Sequence, residues 1–181
     1  MTRPERRRRP PASGKRIRRM TGMALPAVVT VAAAIVALTG AWFEAALTEA
    51  RRTRALSDRL IAFHAADAAL AACVARLRRA EAVYLDAADR SDAEPDAWRR
   101  ASALARPEAI EPFAAWPMAV RPPRCLIEAW GIGHPATDRA YLVTARGVGS
   151  HASTSAWLQM QILIRDGRIV AQRWRRVAAP P

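Results

Sequence analysis

Between Met23 and Phe43 the chain carries 21 consecutive residues without a charge, directly after the basic segment Arg18-Arg19-Met20-Thr21-Gly22. At about 1.5 Å per residue a helix of that length spans roughly 31 Å, the thickness of a bilayer's hydrocarbon core. The sequence therefore predicts membrane attachment. Met1 to Gly22 holds nine Lys or Arg and one Glu, a balance of +8 out of the net +13, so the remainder carries +5. A basic segment ahead of an apolar run stays on the cytoplasmic side, which puts residues 44–181 across the membrane. Three fates are open for the run: a cleaved secretory signal with Thr39-Gly40-Ala41 as its small-residue site, a permanent anchor, or processing on the cytoplasmic side. The run is long for a secretory signal, whose apolar region is usually about 7–15 residues.

The helical signal continues beyond Phe43. From Ala27 to Glu94 there is no proline and a single glycine, Gly40, while Ala, Leu and Arg dominate, all strong helix formers. Pro26 suits a first helical turn, and the helix is expected to run from there to about Arg79. In its second half Leu56, Leu60, Phe63, Leu70, Val74 and Leu77 recur at helical spacing with Asp67 in the same stripe, which predicts a buried face. Arg51, Arg52, Asp58, Arg59, Arg76, Arg78 and Arg79 are expected on a solvated opposite face.

Three groups of residues carry a resemblance. The first is the basic leader ending at Gly22 with Met-Ala-Leu-Pro-Ala-Val-Val-Thr at 23–30. The second is Asp58-Arg-Leu-Ile-Ala-Phe63-His-Ala-Ala-Asp67-Ala-Ala-Leu70. The third is Tyr141-Leu-Val-Thr-Ala-Arg-Gly-Val-Gly149 with Leu158-Gln159. The chain resembles the type IV pilins, and among them the PilX-type minor pilins, whose pattern Asp-Arg-x-x-Ala-Phe-x-Ala-Ala-Glu-x-Ala-Leu is matched at Asp58, Arg59, Phe63 and Leu70. Asp67 stands where the Glu would be. The resemblance covers the first and last thirds of the chain and none of 87–123.

The resemblance implies an α+β fold, with one long N-terminal helix packed on a C-terminal antiparallel sheet. It implies a leader, 1–22, cleaved after Gly22 by a prepilin peptidase, and N-methylation of Met23. Beyond the leader come a transmembrane or filament helix, 23–43, the periplasmic half of the spine helix, 44–79, a proline-rich connection, 80–123, and the sheet, 124–181. The implied function is pilus assembly with other minor pilins and the major pilin, supporting twitching, aggregation and attachment; the inner membrane is the site before assembly. The fifth mature residue, usually Glu, is Ala27. Within an apolar bundle an unpaired charge costs several kcal/mol. A subunit that cannot answer a neighbour's amine therefore fits a position with nothing above it, at the tip.

Six of the 13 prolines lie between Pro95 and Pro123, marking a connection with one short helix expected over Asp96 to Leu104 and with Phe113 and Trp116 pinned to the core. Cys125–Trp130, Tyr141–Arg146, Trp157–Ile164 and Ile169–Trp174 read as strands, the last two joined by a hairpin at Asp166-Gly167. Leu158, Met160, Ile162 and Ile164 alternate with polar or aromatic neighbours and should face the spine. Cys73 and Cys125, on elements expected to touch in an oxidising compartment, leave two outcomes open, a disulfide or buried thiols. His64, His134 and His151 are scattered, no metal or cofactor motif is present, and Ser150 is not in a nucleophile elbow, so the sequence points to no metal, no cofactor and no enzyme. A second function class is DNA binding for uptake. It rests on the C-terminal arginines, Arg173, Arg175 and Arg176 in particular, since clustered arginines hold phosphates.

Overall fold

The computed structural model describes residues 24–86, 93–100, 102–131 and 138–180. The expected cleavage and methylation positions, Gly22 and Met23, and also His134, lie outside them. The chain divides into two units, Met1–Thr48 and Glu49–Pro181, and helix α1 (Ala24–Arg78) begins in the first and ends in the second.

The first unit is described from Ala24. Every residue of α1 there is solvent-exposed, and the stretch is apolar and long enough to cross a membrane. Its threonine hydroxyls are satisfied within the helix, Thr30 donating to the Ala27 carbonyl at 2.9 Å, Thr39 to that of Ile35 at 2.6 Å and Thr48 to that of Glu44 at 2.9 Å. Such back-bonding lets a hydroxyl sit in apolar surroundings without an unmet hydrogen bond.

In the second unit α1 packs on a four-stranded antiparallel meander, β1 (Arg124–Trp130), β2 (Asp138–Val148), β3 (Ser155–Arg165) and β4 (Arg168–Val177), in the order β1-β2-β3-β4. This is the α+β, pilin-like layout that the sequence pattern and the resemblance predict. The helix ends in a Schellman arrangement, in which the Glu81 N–H donates to the Arg76 carbonyl and the Ala80 N–H to that of Leu77, both at 3.1 Å. Ala80 takes the left-handed conformation there (φ 56°) that glycine usually fills. Asp166 and Gly167, with φ of 48° and 75°, make the tight β3–β4 turn, the backbone that an Asp-Gly pair favours.

The sheet is covered on both sides. Toward α1, Ile127, Val143, Ala145, Leu158 and Ile162 join Ala62, Ala66, Ala69, Leu70 and Val74 in one core, with Met160 and Ile164 packed against it. The expected inward face of β3 is thus present. The other side carries Leu126, Leu142 and Trp157, closed over by Trp98, Ala103 and Leu104. The proline-rich connection is therefore a third layer. Instead of the expected helix over Asp96 to Leu104 it makes two 3-10 turns, Ala97–Arg99 and Ala103–Ala105. Short turns let Trp98 and Leu104 both point at the sheet, which a continuous helix with 3.6-residue periodicity would not do at a spacing of six. Phe113 and Trp116 are not in the core; they are half-buried and lie against each other, ring centroids 5.6 Å apart.

The two sheet edges differ. Along β1 the backbone of Leu85 pairs with Ile127 and Ala129, and that of Ile110 pairs with Cys125. Among the described residues β4 has no strand beyond it. Arginines on such an edge discourage pairing with further strands.

Candidate functional site

The buried face of α1 keeps the later part of the stripe expected from periodicity, Leu70, Val74 and Leu77 with Phe63 half-buried, but not its start. Leu56 and Leu60 are 60% and 49% exposed and Asp67 is exposed, while Asp58, Ala62, Ala65, Ala66, Ala69, Leu70, Cys73, Val74 and Leu77 are buried. The reason is how closely β2 approaches the helix. A Cβ on Gly147 would lie 2.1 Å from the Ala62 carbonyl oxygen, and one on Gly149 would lie 2.3 Å from an Asp58 carboxylate oxygen. Where backbones pass that close only small side chains fit between them, so Ala62, Ala65 and Ala66 line the seam and Leu56 and Leu60 turn outward.

Asp58, expected on the solvated face, is 7% exposed and is the acceptor around which the β2–β3 loop folds. Its Oδ1 receives the Ser150 N–H at 2.5 Å, the Ser150 hydroxyl at 2.7 Å and the His151 N–H at 3.3 Å. The hydroxyls of Thr154 and then Ser150, with these two backbone donors, hold the Asp58 carboxyl well below the usual carboxylate range against the opposing effect of burial. The His151 ring lies 3.5 Å from the other carboxylate oxygen and is exposed. Asp, Ser and His are thus together: the Ser150 hydroxyl lies 2.7 Å from Asp58 Oδ1 and 3.1 Å from His151 Nδ1. Through its three contacts to Asp58 the loop is clamped to the helix. The loop is further fixed by the Gly149 N–H donating to the Thr154 carbonyl and the Val120 N–H to that of Gly149, both at 2.9 Å.

Of the expected motif residues, Asp58 and Leu70 are in this seam, Phe63 is half-buried with its ring 6.3 Å from Trp174, and Arg59 is exposed. Further along α1, Cys73 and Cys125 form a disulfide, with Cα atoms 6.6 Å apart and both residues fully buried. The C-terminal arginines do not form one patch. Arg175 and Arg173 pair with Gln159 and Gln161 on the side away from α1, whereas Arg176 pairs with Leu158 on the side toward it. Arg175 is engaged with Glu94 and donates to Gln159 Oε1 at 2.9 and 2.7 Å. Gln159 in turn donates to Thr144 Oγ1 at 3.0 Å.

One buried group carries no signal in the sequence. Glu128 is 2% exposed beside a cavity of about 390 Å³, its Oε2 without a hydrogen-bond partner among the described residues. Desolvation pushes its carboxyl up to about 7; the N–H groups of Ala97 and Trp98 oppose this, Asp96 adds to it, and Arg100 counters it. A folded value above the ordinary 4.5 means that stability is fully present below that value and is lost as pH rises through about 7. Thermal melts should therefore show the domain losing about 2–3 kcal/mol between about pH 5 and pH 8, and Glu128→Gln flattening that slope.

Compared with known proteins, the chain matches no family model, no curated protein and no solved structure.

Proposed function

We propose that this chain is a minor pilin of a type IV pilus, of the PilX type. On this reading it is held in the inner membrane by the start of α1 before assembly, with residues 44–181 in the periplasm. It primes or caps assembly with other minor pilins and the major pilin, in a complex at the tip. The observation that carries the reading is the seam itself. The segments on which the resemblance rests, Asp58 to Leu70 and Tyr141 to Gly149, are far apart in sequence yet meet through Asp58, Ala62 and Ala66 against Gly147 and Gly149. Alanines in one and glycines in the other are what that contact requires, so the two motifs have one physical cause. The apolar start of α1, exposed along its whole described length, supplies the second part of the pattern.

The division of Arg173 and Arg175 from Arg176 weighs against the DNA-uptake reading, because a phosphate backbone is held best by cations on one surface.

The test is the mature N-terminus. Mass spectrometry of membrane-extracted protein should give a chain beginning at N-methylated Met23; one beginning at Trp42, or an intact Met1, would rule the reading out. For the tip position, sheared pili should hold a few copies per filament, unchanged or lowered by Ala27→Glu. A clear rise with that substitution would place the subunit along the shaft.

A further inference from the structure

On the face of the sheet away from α1, Arg124 of β1 stands directly opposite Arg146 of β2. Like charges in that relation are destabilising; burial first, and then the nearby cations Arg121 and Arg124, disfavour the charged form of Arg146. All three line one cavity of about 320 Å³, whose other walls are Leu104, Ala105, Pro122 and Val148. Arg124 has local partners. It makes hydrogen bonds to Glu111 Oε2 at 2.9 Å and to the Leu104 carbonyl at 3.0 Å. Arg146 does not share them. Its guanidinium stacks over the Trp157 ring at 5.7 Å, and its Nε is buried without a hydrogen-bond partner among the described residues. A buried donor left unpaired and a repulsive pair left in place are both costs that folding alone would remove.

We propose that the cavity between Arg121, Arg124 and Arg146 is a binding site for a phosphate-type oxyanion. An anion there supplies the acceptor that Arg146 lacks and turns the opposition of Arg124 and Arg146 into a shared attraction. Three guanidinium groups on separate backbone positions suit a tetrahedral anion better than a carboxylate, which offers only two oxygens in one plane. Only one carboxylate, that of Glu111, pairs with any of the three among the described residues, so the site keeps a surplus of positive charge. Free phosphate offers four terminal oxygens to these cations; the phosphodiester of a phospholipid headgroup shares the tetrahedral phosphorus and negative charge but offers two terminal oxygens.

The experiment uses the full chain in neutral detergent at about pH 7 and reads the melting temperature. Inorganic phosphate should raise it by roughly 3 °C beyond sodium chloride at matched ionic strength. Arg146→Gln and Arg121→Gln should abolish that difference, while Arg173→Gln, elsewhere on the same face, keeps it. Arg121 is exposed, so its variant decides the matter should Arg146→Gln fail to fold. No effect beyond chloride, or an equal effect in Arg121→Gln, would overturn the proposal. Dimethyl phosphate separates the sources: an equal shift identifies a phosphodiester headgroup as the ligand type, and a shift with inorganic phosphate alone identifies the free dianion.

Discussion

Replacing Cys73 and Cys125 together by alanine, or unfolding and refolding the domain under reductant, is expected to lower its stability by about 4 kcal/mol and its melting temperature by roughly 10–15 °C. The bond joins residues 52 apart. In the chain-entropy model most of its effect is the freedom that so long a loop regains in the unfolded chain. Both cysteines are at 0% exposure, so reductant should act only after opening: native protein incubated with a thiol-labelling reagent stays unlabelled, and label enters as denaturant is added. Melts that coincide with and without reductant, or two thiols labelled in the native state, would contradict this.

A loss of similar size is expected from Gly147→Ala, about 4 kcal/mol, and for a different reason. The added Cβ would meet backbone, the Ala62 carbonyl oxygen at 2.1 Å and the Ala66 nitrogen at 2.4 Å. A flexible side chain can turn aside; a helix backbone can only be pushed away, which opens the whole seam and costs more than ordinary overpacking. Gly40→Ala is the control, since nothing lies within 4 Å of the position and a helix-interior glycine replaced by alanine gains about 1 kcal/mol. Denaturation midpoints of the two variants should move in opposite directions. Equal midpoints for Gly147→Ala and the parent would show that β2 does not approach α1 as described.

The elements legible in the sequence are those set by a single strong local signal. The proline-free run gives α1, Asp166-Gly167 gives the β3–β4 hairpin, and the alternation from Leu158 to Ile164 gives the face of β3 that meets the helix. The features that escape are set by contact between distant segments. A search for large apolar residues at helical spacing selects Leu56 and Leu60, but the seam is lined by alanines because Gly147 and Gly149 bring a strand against the helix. Asp58 looks like one more surface charge until the β2–β3 loop is seen to close on it. Glu128 sits in an alternating strand where a polar residue normally faces water; the layer formed by Trp98 and Leu104 removes that water, and no local pattern announces that layer. The cysteine pairing depends on the distance between α1 and β1, which spacing alone leaves open.

Asp58 and Cys73 are 15 residues apart on α1, which at about 1.5 Å per residue is roughly 22 Å of helix axis. One is fastened to the β2–β3 loop by hydrogen bonds and the other to β1 by a covalent bond. In mechanical terms the helix is pinned at two stations, so a pull along its axis loads the sheet in shear and cannot peel the helix off turn by turn. The hydrogen-bonded station is able to yield and re-form under a transient load, whereas the covalent one sets the limit of travel.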